Sequence, residues 1–173
     1  MYYLIYTLLD KGFGSVQSEY WIGLRWLATM TSMGKWELRI ILKSWMGVKS
    51  VALFQNFPVV DAPQYRLTLN EFDGNASTFL SPASFTFHSG QTFSTHDRDQ
   101  DSHPDISCSQ NNGFGGWWYR NCYRSNLNGR NIKAVYDSVQ ANSKIDDEIT
   151  TIDEGNKLTS YQEVKMEMRK IFL

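Results

Sequence analysis

The spacing of apolar residues predicts a short helix, then strands, then a long stretch without period, then a closing strand. Ser18 is placed to cap a helix in which Tyr20, Trp21, Leu24 and Leu27 recur at helical spacing. Such a stripe reads first as core. Gly34 ends the element. From Trp36 the period becomes two: Trp36, Leu38, Ile40 and Leu42 alternate with Glu37, Arg39 and Lys43. Tyr65, Leu67 and Leu69 alternate in the same way with Arg66, Thr68 and Asn70, and Asp73-Gly74-Asn75 then reads as a turn. Near the end, Val164, Met166 and Met168 stand against Glu163, Lys165, Glu167 and Arg169, the pattern of a half-buried strand closing a sheet. Between residues 90 and 131 the period vanishes into Gly, Asn, Asp and Ser. An irregular stretch of that length inside a compact domain is either disordered or functional, and the two cysteines, two Trp and carboxylates it holds favour function. Residues 137–159 are polar and acidic and read as a solvated loop. There is no internal repeat and no linker.

Composition narrows the class. A chain of 173 residues, 42% hydrophobic, suits one domain with a proper core. A formal net charge of −1 gives no global field to steer it to nucleic acid or an anionic membrane. Met1–Leu9 is apolar but too short to span a bilayer, and it lacks the features of a signal peptide. The six Trp and nine Tyr fit a β-rich core or a stacking surface, with core the simpler reading. Cys108 and Cys122 form no CxxC motif, and with no second pair a structural zinc site is unsupported. From their number alone a disulfide and two unrelated buried thiols stand level. Asn75-Ala76-Ser77 is a glycosylation sequon, relevant only on a secretory route.

The chemistry lies in the aperiodic stretch. Asp97, Asp99 and Asp101 occupy alternate positions and Asp105 follows. Carboxylates this close repel one another unless a cation intervenes, and hard oxygens at every second loop residue are a common grip on calcium. The loop is not an EF-hand. A solvated acidic loop with Arg98 as partial counter-ion is the competing reading. His88, His96 and His103 flank the cluster without zinc-hydrolase spacing and read as surface residues.

The run Gly90-Gln91-Thr92-Phe93-Ser94-Thr95-His96-Asp97-Arg98-Asp99-Gln100-Asp101 resembles the fibrinogen C-terminal domain family. So does Gly115-Gly116-Trp117-Trp118-Tyr119-Arg120-Asn121-Cys122, continuing into Ser125-Asn126-Leu127-Asn128-Gly129-Arg130. Gly12-Phe13-Gly14, Glu19-Tyr20-Trp21-Ile22-Gly23 and the segment Ser160–Arg169 are similar to further parts of it. The resemblance runs from Gly12 to about Arg169, leaving residues 1–11 as an extension and 12–173 as a partial fibrinogen-like domain with its binding lobe at about 90–156. It implies an α+β fold: a twisted, mostly antiparallel sheet with short helices and a large loop-built calcium and ligand lobe.

It further implies a secreted, non-enzymatic, calcium-dependent module that binds acetylated or polar glycans in the manner of innate-immune lectins. The alternatives are a receptor-binding module of the angiopoietin or tenascin kind, or a product without ligand. Asp99 and Asp101 match the side-chain calcium ligands, and His103 and Asp105 lie at the offsets of the backbone-carbonyl ligands. Cys108 and Cys122 match the family disulfide, and Asn121-Cys122 matches a cis peptide that aims backbone N–H groups of Cys122 and Tyr123 at ligand. Tyr123 stands where the family has His. Phe114, Trp117 and Tyr123 are available as an apolar patch. Gln140 and Ala141 occupy the place of the family's Trp-rich pocket segment. Glycans, cell-surface glycoproteins or a protein receptor are the expected partners, and any homo-oligomer would form through upstream regions.

Overall fold

A computed structural model describes residues 5–60, 62–79, 82–129, 149–152 and 158–172. The chain opens with helix α1 (Tyr6–Lys11), whose Leu9 is buried in the core. Strands β1 (Phe13–Gly14) and β2 (Tyr20–Trp21) form a small hairpin, and α2 (Leu24–Ser32) follows. The predicted helix therefore begins later than the stripe suggested. Ser18 lies in the hairpin turn, its N–H donating to the Ser15 carbonyl at 2.9 Å, and caps nothing. Gly23, at φ +100°, separates strand from helix.

The cause is a close approach of backbones. A Cβ on Gly23 would lie 2.7 Å from the carbonyl of Lys11, and one on Gly12, at φ +88°, would lie 2.6 Å from the carbonyl of Ile22. No side chain fits on either side, so the helical stripe is interrupted where the two segments touch. Trp21 Nε1 donates to the Leu9 carbonyl at 2.7 Å and fixes the hairpin on α1. We expect Gly23→Ala to destabilise the domain by about 3 kcal/mol, from strained backbone plus the clash. Denaturant titration measures it; an unchanged midpoint would contradict this packing.

Strands β3 (Trp36–Ser44) and β4 (Lys49–Asn56) form the long hairpin. Strands β5 (Val59–Val60), β6 (Arg66–Leu67) and β7 (Asn70–Phe72) follow, then short helices α3 (Ala83–Thr86) and α4 (Cys108–Asn111). Last come β8 (Ser125–Asn126), β9 (Thr150–Ile152) and the long β10 (Leu158–Lys170). Among the described residues the main sheet runs β7-β4-β3-β10-β9-β8, every pairing antiparallel. This is the expected α+β architecture.

The β3–β10 register is written in charge as well as apolarity. Glu37 faces Arg169, Arg39 faces Glu167 and Lys43 faces Glu163 on one side of the sheet, at 2.8, 3.7 and 2.5 Å. On the other side Leu38 faces Met168, Ile40 faces Met166 and Leu42 faces Val164. A slip of one residue would expose the apolar set, so the register is firmly held. The exposed ion pairs are individually weak, and choose between pairings more than they add stability.

The solvated-loop reading of 137–159 is corrected at its described end. Ile149, Thr150 and Thr151 are buried, because β9 lies between β8 and β10. The aperiodic stretch also carries more apolar weight than its composition suggested. Phe93, Trp117, Trp118 and Tyr119 are all buried, with Phe93 edge-on to Trp118 at 4.8 Å. Trp118 Nε1 donates to the Tyr65 carbonyl at 2.7 Å, and Ser94 and Trp117 exchange backbone hydrogen bonds. Trp117 is thus core, and is not available to a surface patch.

Candidate functional site

The carboxylate loop is built from its own backbone outward. Thr95 and Arg98 close a tight turn by exchanging N–H to carbonyl bonds at 3.0 and 3.2 Å. This turn points Asp97 toward α1: the Tyr6 N–H donates to both carboxylate oxygens of Asp97 at 3.0 and 3.2 Å. Asp97 thereby serves an orphan donor at a helix start. Arg98 lies over the Tyr6 ring, 4.3 Å from its centroid. The residue expected to act as counter-ion to the acidic cluster is therefore drawn onto an aromatic ring.

Asp99 and Asp101 remain as a pair. Asp99 Oδ1 accepts from Ser94 Oγ and from the Asp101 N–H, each at 3.2 Å. Asp101 Oδ1 accepts from the His103 N–H at 2.8 Å and Oδ2 from the Cys108 N–H at 2.7 Å. Burial and the neighbouring Asp99 carboxylate push the Asp101 carboxyl above the ordinary range, against those two donors. His103 and Asp105 form a turn of their own, in which His103 Nδ1 accepts from the N–H groups of Asp105 and Ile106 at 3.2 and 3.3 Å. Among the described residues no three His, Cys, Asp or Glu side chains gather around a point. Asp99 and Asp101 offer hard carboxylate oxygens, and among the described residues no thiolate or imidazole joins them in a cluster, which suits a hard cation of flexible coordination such as calcium and not zinc.

Cys108 and Cys122 are disulfide-bonded with Cα atoms 5.3 Å apart. The peptide Asn121-Cys122 is cis. The bond ties the start of α4, where Asp101 is anchored, to the segment that follows Trp117-Trp118-Tyr119. Asn121 is exposed, while Cys122 and Tyr123 are half-buried. Phe114, at φ +62°, packs edge-on against His96 at 5.7 Å, which brings it to the carboxylate loop. Gln140 and Ala141 lie outside the described residues. Replacing both cysteines with serine should cost about 3 kcal/mol, the loop-closure entropy of a ring this size. Equilibrium unfolding under identical conditions checks it; equal stability would mean the loop is held by its other bonds alone.

Sequence reasoning placed His88 on the surface, and the structure corrects this: His88 is 1% exposed. Its Nδ1 bonds the Trp118 carbonyl at 2.7 Å, and Nε2 accepts from the N–H groups of Arg124 and Ser125 at 3.2 and 3.0 Å. Two donors at Nε2 leave the ring neutral with its proton on Nδ1. Burial pulls its pKa down to about 4, with help from nearby Arg120 and against the Trp118 bond. A lone histidine in a polar stretch gave no sign of this; only the fold brings its three partners to it.

The profile described as fibrinogen beta and gamma chains, C-terminal globular domain, matches residues 5–171, taking in α1. Human ficolin-3 is 40% identical over 121 residues, covering 69% of this chain and 38% of its own length. The bovine fibrinogen beta chain is 31% identical over 177 residues, covering 94% and 38%. The chain thus spans under two fifths of these relatives. Among solved structures, the fibrinogen-like globe domain of human ANGPTL6 superposes with a TM-score of 0.79 at 29% identity, covering 99% of this chain and 72% of that one.

Proposed function

The chain belongs to the fibrinogen C-terminal domain family, a family of non-enzymatic recognition domains, and on that premise we propose that it is a calcium-dependent extracellular module that binds acetylated or other polar glycans. One observation carries the reading. Asp99 and Asp101 form a carboxylate pair, Asp99 held by Ser94 Oγ and the Asp101 N–H and Asp101 by the N–H groups of His103 and Cys108, on a loop bonded through Cys108 to the Cys122–Tyr123 segment. Asp99 and Asp101 would hold the ion with carbonyls of His103 and Asp105. Bound calcium supplies positive charge that relieves the pair. The residues then do the rest: the disulfide carries the order of the loop to Asn121, Cys122 and Tyr123, where ligand would be met. No helix among the described residues is long and apolar enough to cross a membrane.

A second reading, a receptor-binding domain, draws on the similarity to the ANGPTL6 globe over 99% of the chain and on the burial of Trp117, which takes one aromatic from a sugar-stacking patch. Immobilised N-acetylated glycans separate the two. The glycan reading expects retention in calcium that is released by a chelator. Absence of retention at millimolar calcium, with the protein folded, would leave the receptor reading standing.

A further inference from the structure

Among the described residues, three of the arginines have their charge answered by a carboxylate. Arg25 pairs with Asp10, Arg39 with Glu167 and Arg169 with Glu37, while Arg98 sits alone over the Tyr6 ring. Arg120 and Arg124 differ. Among the described residues neither makes an ion pair, and both guanidinium groups are gathered on the single ring of Phe87, 5.3 and 5.5 Å from its centroid. The two charges therefore lie no more than about 11 Å apart, held by an aromatic ring that lowers the energy of a cation without neutralising it.

Their bases are fixed from several directions. The Arg120 N–H donates to the Cys122 carbonyl at 2.8 Å, and the Arg120 carbonyl accepts from the Ser102 N–H at 3.1 Å. The Arg124 N–H donates to the buried His88, and His88 is edge-on to Phe87 at 5.3 Å. Between the arginines in sequence lie Asn121, Cys122 and Tyr123, the segment offered above as ligand-facing. A pair of guanidinium groups gathered on one ring, with no carboxylate partner among the described residues, is a receptor for a planar or tetrahedral oxyanion, which each can grip with two parallel N–H bonds. The net charge of −1 means that this basic character is local to the patch.

We infer that Arg120 and Arg124 form an acid-recognition site, selecting glycans that carry a carboxylate or sulfate over neutral ones. The inference rests on the glycan reading and names its ligand class. The test uses the full chain in saturating calcium, with three immobilised probes: a heparin-derived oligosaccharide, a hyaluronan oligosaccharide with carboxylates only, and a neutral chito-oligosaccharide. Wild type should favour at least one acidic probe over the neutral one. Arg120→Gln combined with Arg124→Gln should weaken that binding at least tenfold, while the neutral probe does not follow. Arg39→Gln, far along the sheet, should change nothing. Retention of heparin but not hyaluronan identifies sulfate, and retention of both identifies carboxylate as sufficient. Equal binding of acidic and neutral probes, or an intact acidic signal in the double variant, overturns the site but leaves glycan recognition in place. Binding to none of the three overturns both. Equally tight binding to poly-glutamate would assign the pair to an acidic protein and also overturn the inference. Near-UV circular dichroism shows whether the variant is folded, and the single Arg124→Gln variant substitutes if it is not.

Discussion

Replacing Asp99 and Asp101 together will abolish saturable calcium binding and remove all calcium-dependent stabilisation. Isothermal titration of the wild type should show one site, and the double alanine variant none. At a calcium concentration of one hundred times Kd the wild type gains about 2.7 kcal/mol by mass action, and the variant gains nothing. Alanine at 101 also strands the N–H groups of His103 and Cys108. Hydrogen bonds to a charged group are each worth about 1.5–3 kcal/mol, so the variant is weaker even in chelator. Asp99→Asn is the gentler change, keeping an oxygen for Ser94 and for the Asp101 N–H while removing the charge. It should retain the fold and lose the ion. Asp105→Ala should still bind, because only its carbonyl is needed. Since the Asp101 carboxyl is raised by burial and by Asp99, protons compete with the ion, and affinity should weaken as pH falls. A wild type with no heat of binding, or an Asp99→Asn variant that titrates normally, would remove calcium from the account.

The second large effect is acid sensitivity through His88. Its folded pKa lies below the ordinary 6.5, at about 4, because burial disfavours the imidazolium. The group is neutral in the fold and picks up its proton more readily when unfolded. Its contribution is therefore complete above pH 6.5 and drains away as pH falls toward 4. The interval corresponds to about 3 kcal/mol. His88→Gln keeps one donor and one acceptor and cannot ionise. It should cost stability at pH 7.5, where the wild type loses nothing, and the gap between the two should narrow by most of that amount at pH 4. Carboxylates titrate in both proteins, so the difference between the curves isolates His88. Parallel curves would show that the imidazole does not sense pH.

Parts of this were legible in the chain and parts were not. The strands were plain because side chains that alternate sides must alternate in character, as Leu38, Ile40 and Leu42 do against Glu37, Arg39 and Lys43. The acidic pair was plain because its spacing is local. The start of α2 was missed because the determinant is not its own periodicity but the contact between Gly12 and Gly23, eleven residues apart. β9 was missed because three threonine-rich residues in an acidic region become a strand only when β10 and β8 flank them. His88 and the Phe87 pair with Arg120 and Arg124 were missed for the same reason. Each depends on partners thirty or more residues away in sequence, and nothing in the residue itself announces them.

The central position of β10 has a consequence for synthesis. A ribosome makes the chain from its first residue, and β3 emerges long before residues 158–170 that must lie beside it. Until then β7-β4-β3 and β8-β9 are two separate pieces, each with a bare edge of unpaired N–H and carbonyl groups where β10 will go. The nascent domain cannot close its main sheet co-translationally in stages. It must wait, exposed to pairing with neighbouring chains, until residues 158–170 are delivered. Loss of even a few residues from 158–170 would leave that gap open for good, so a premature stop there should yield aggregated chains in place of a weakened domain.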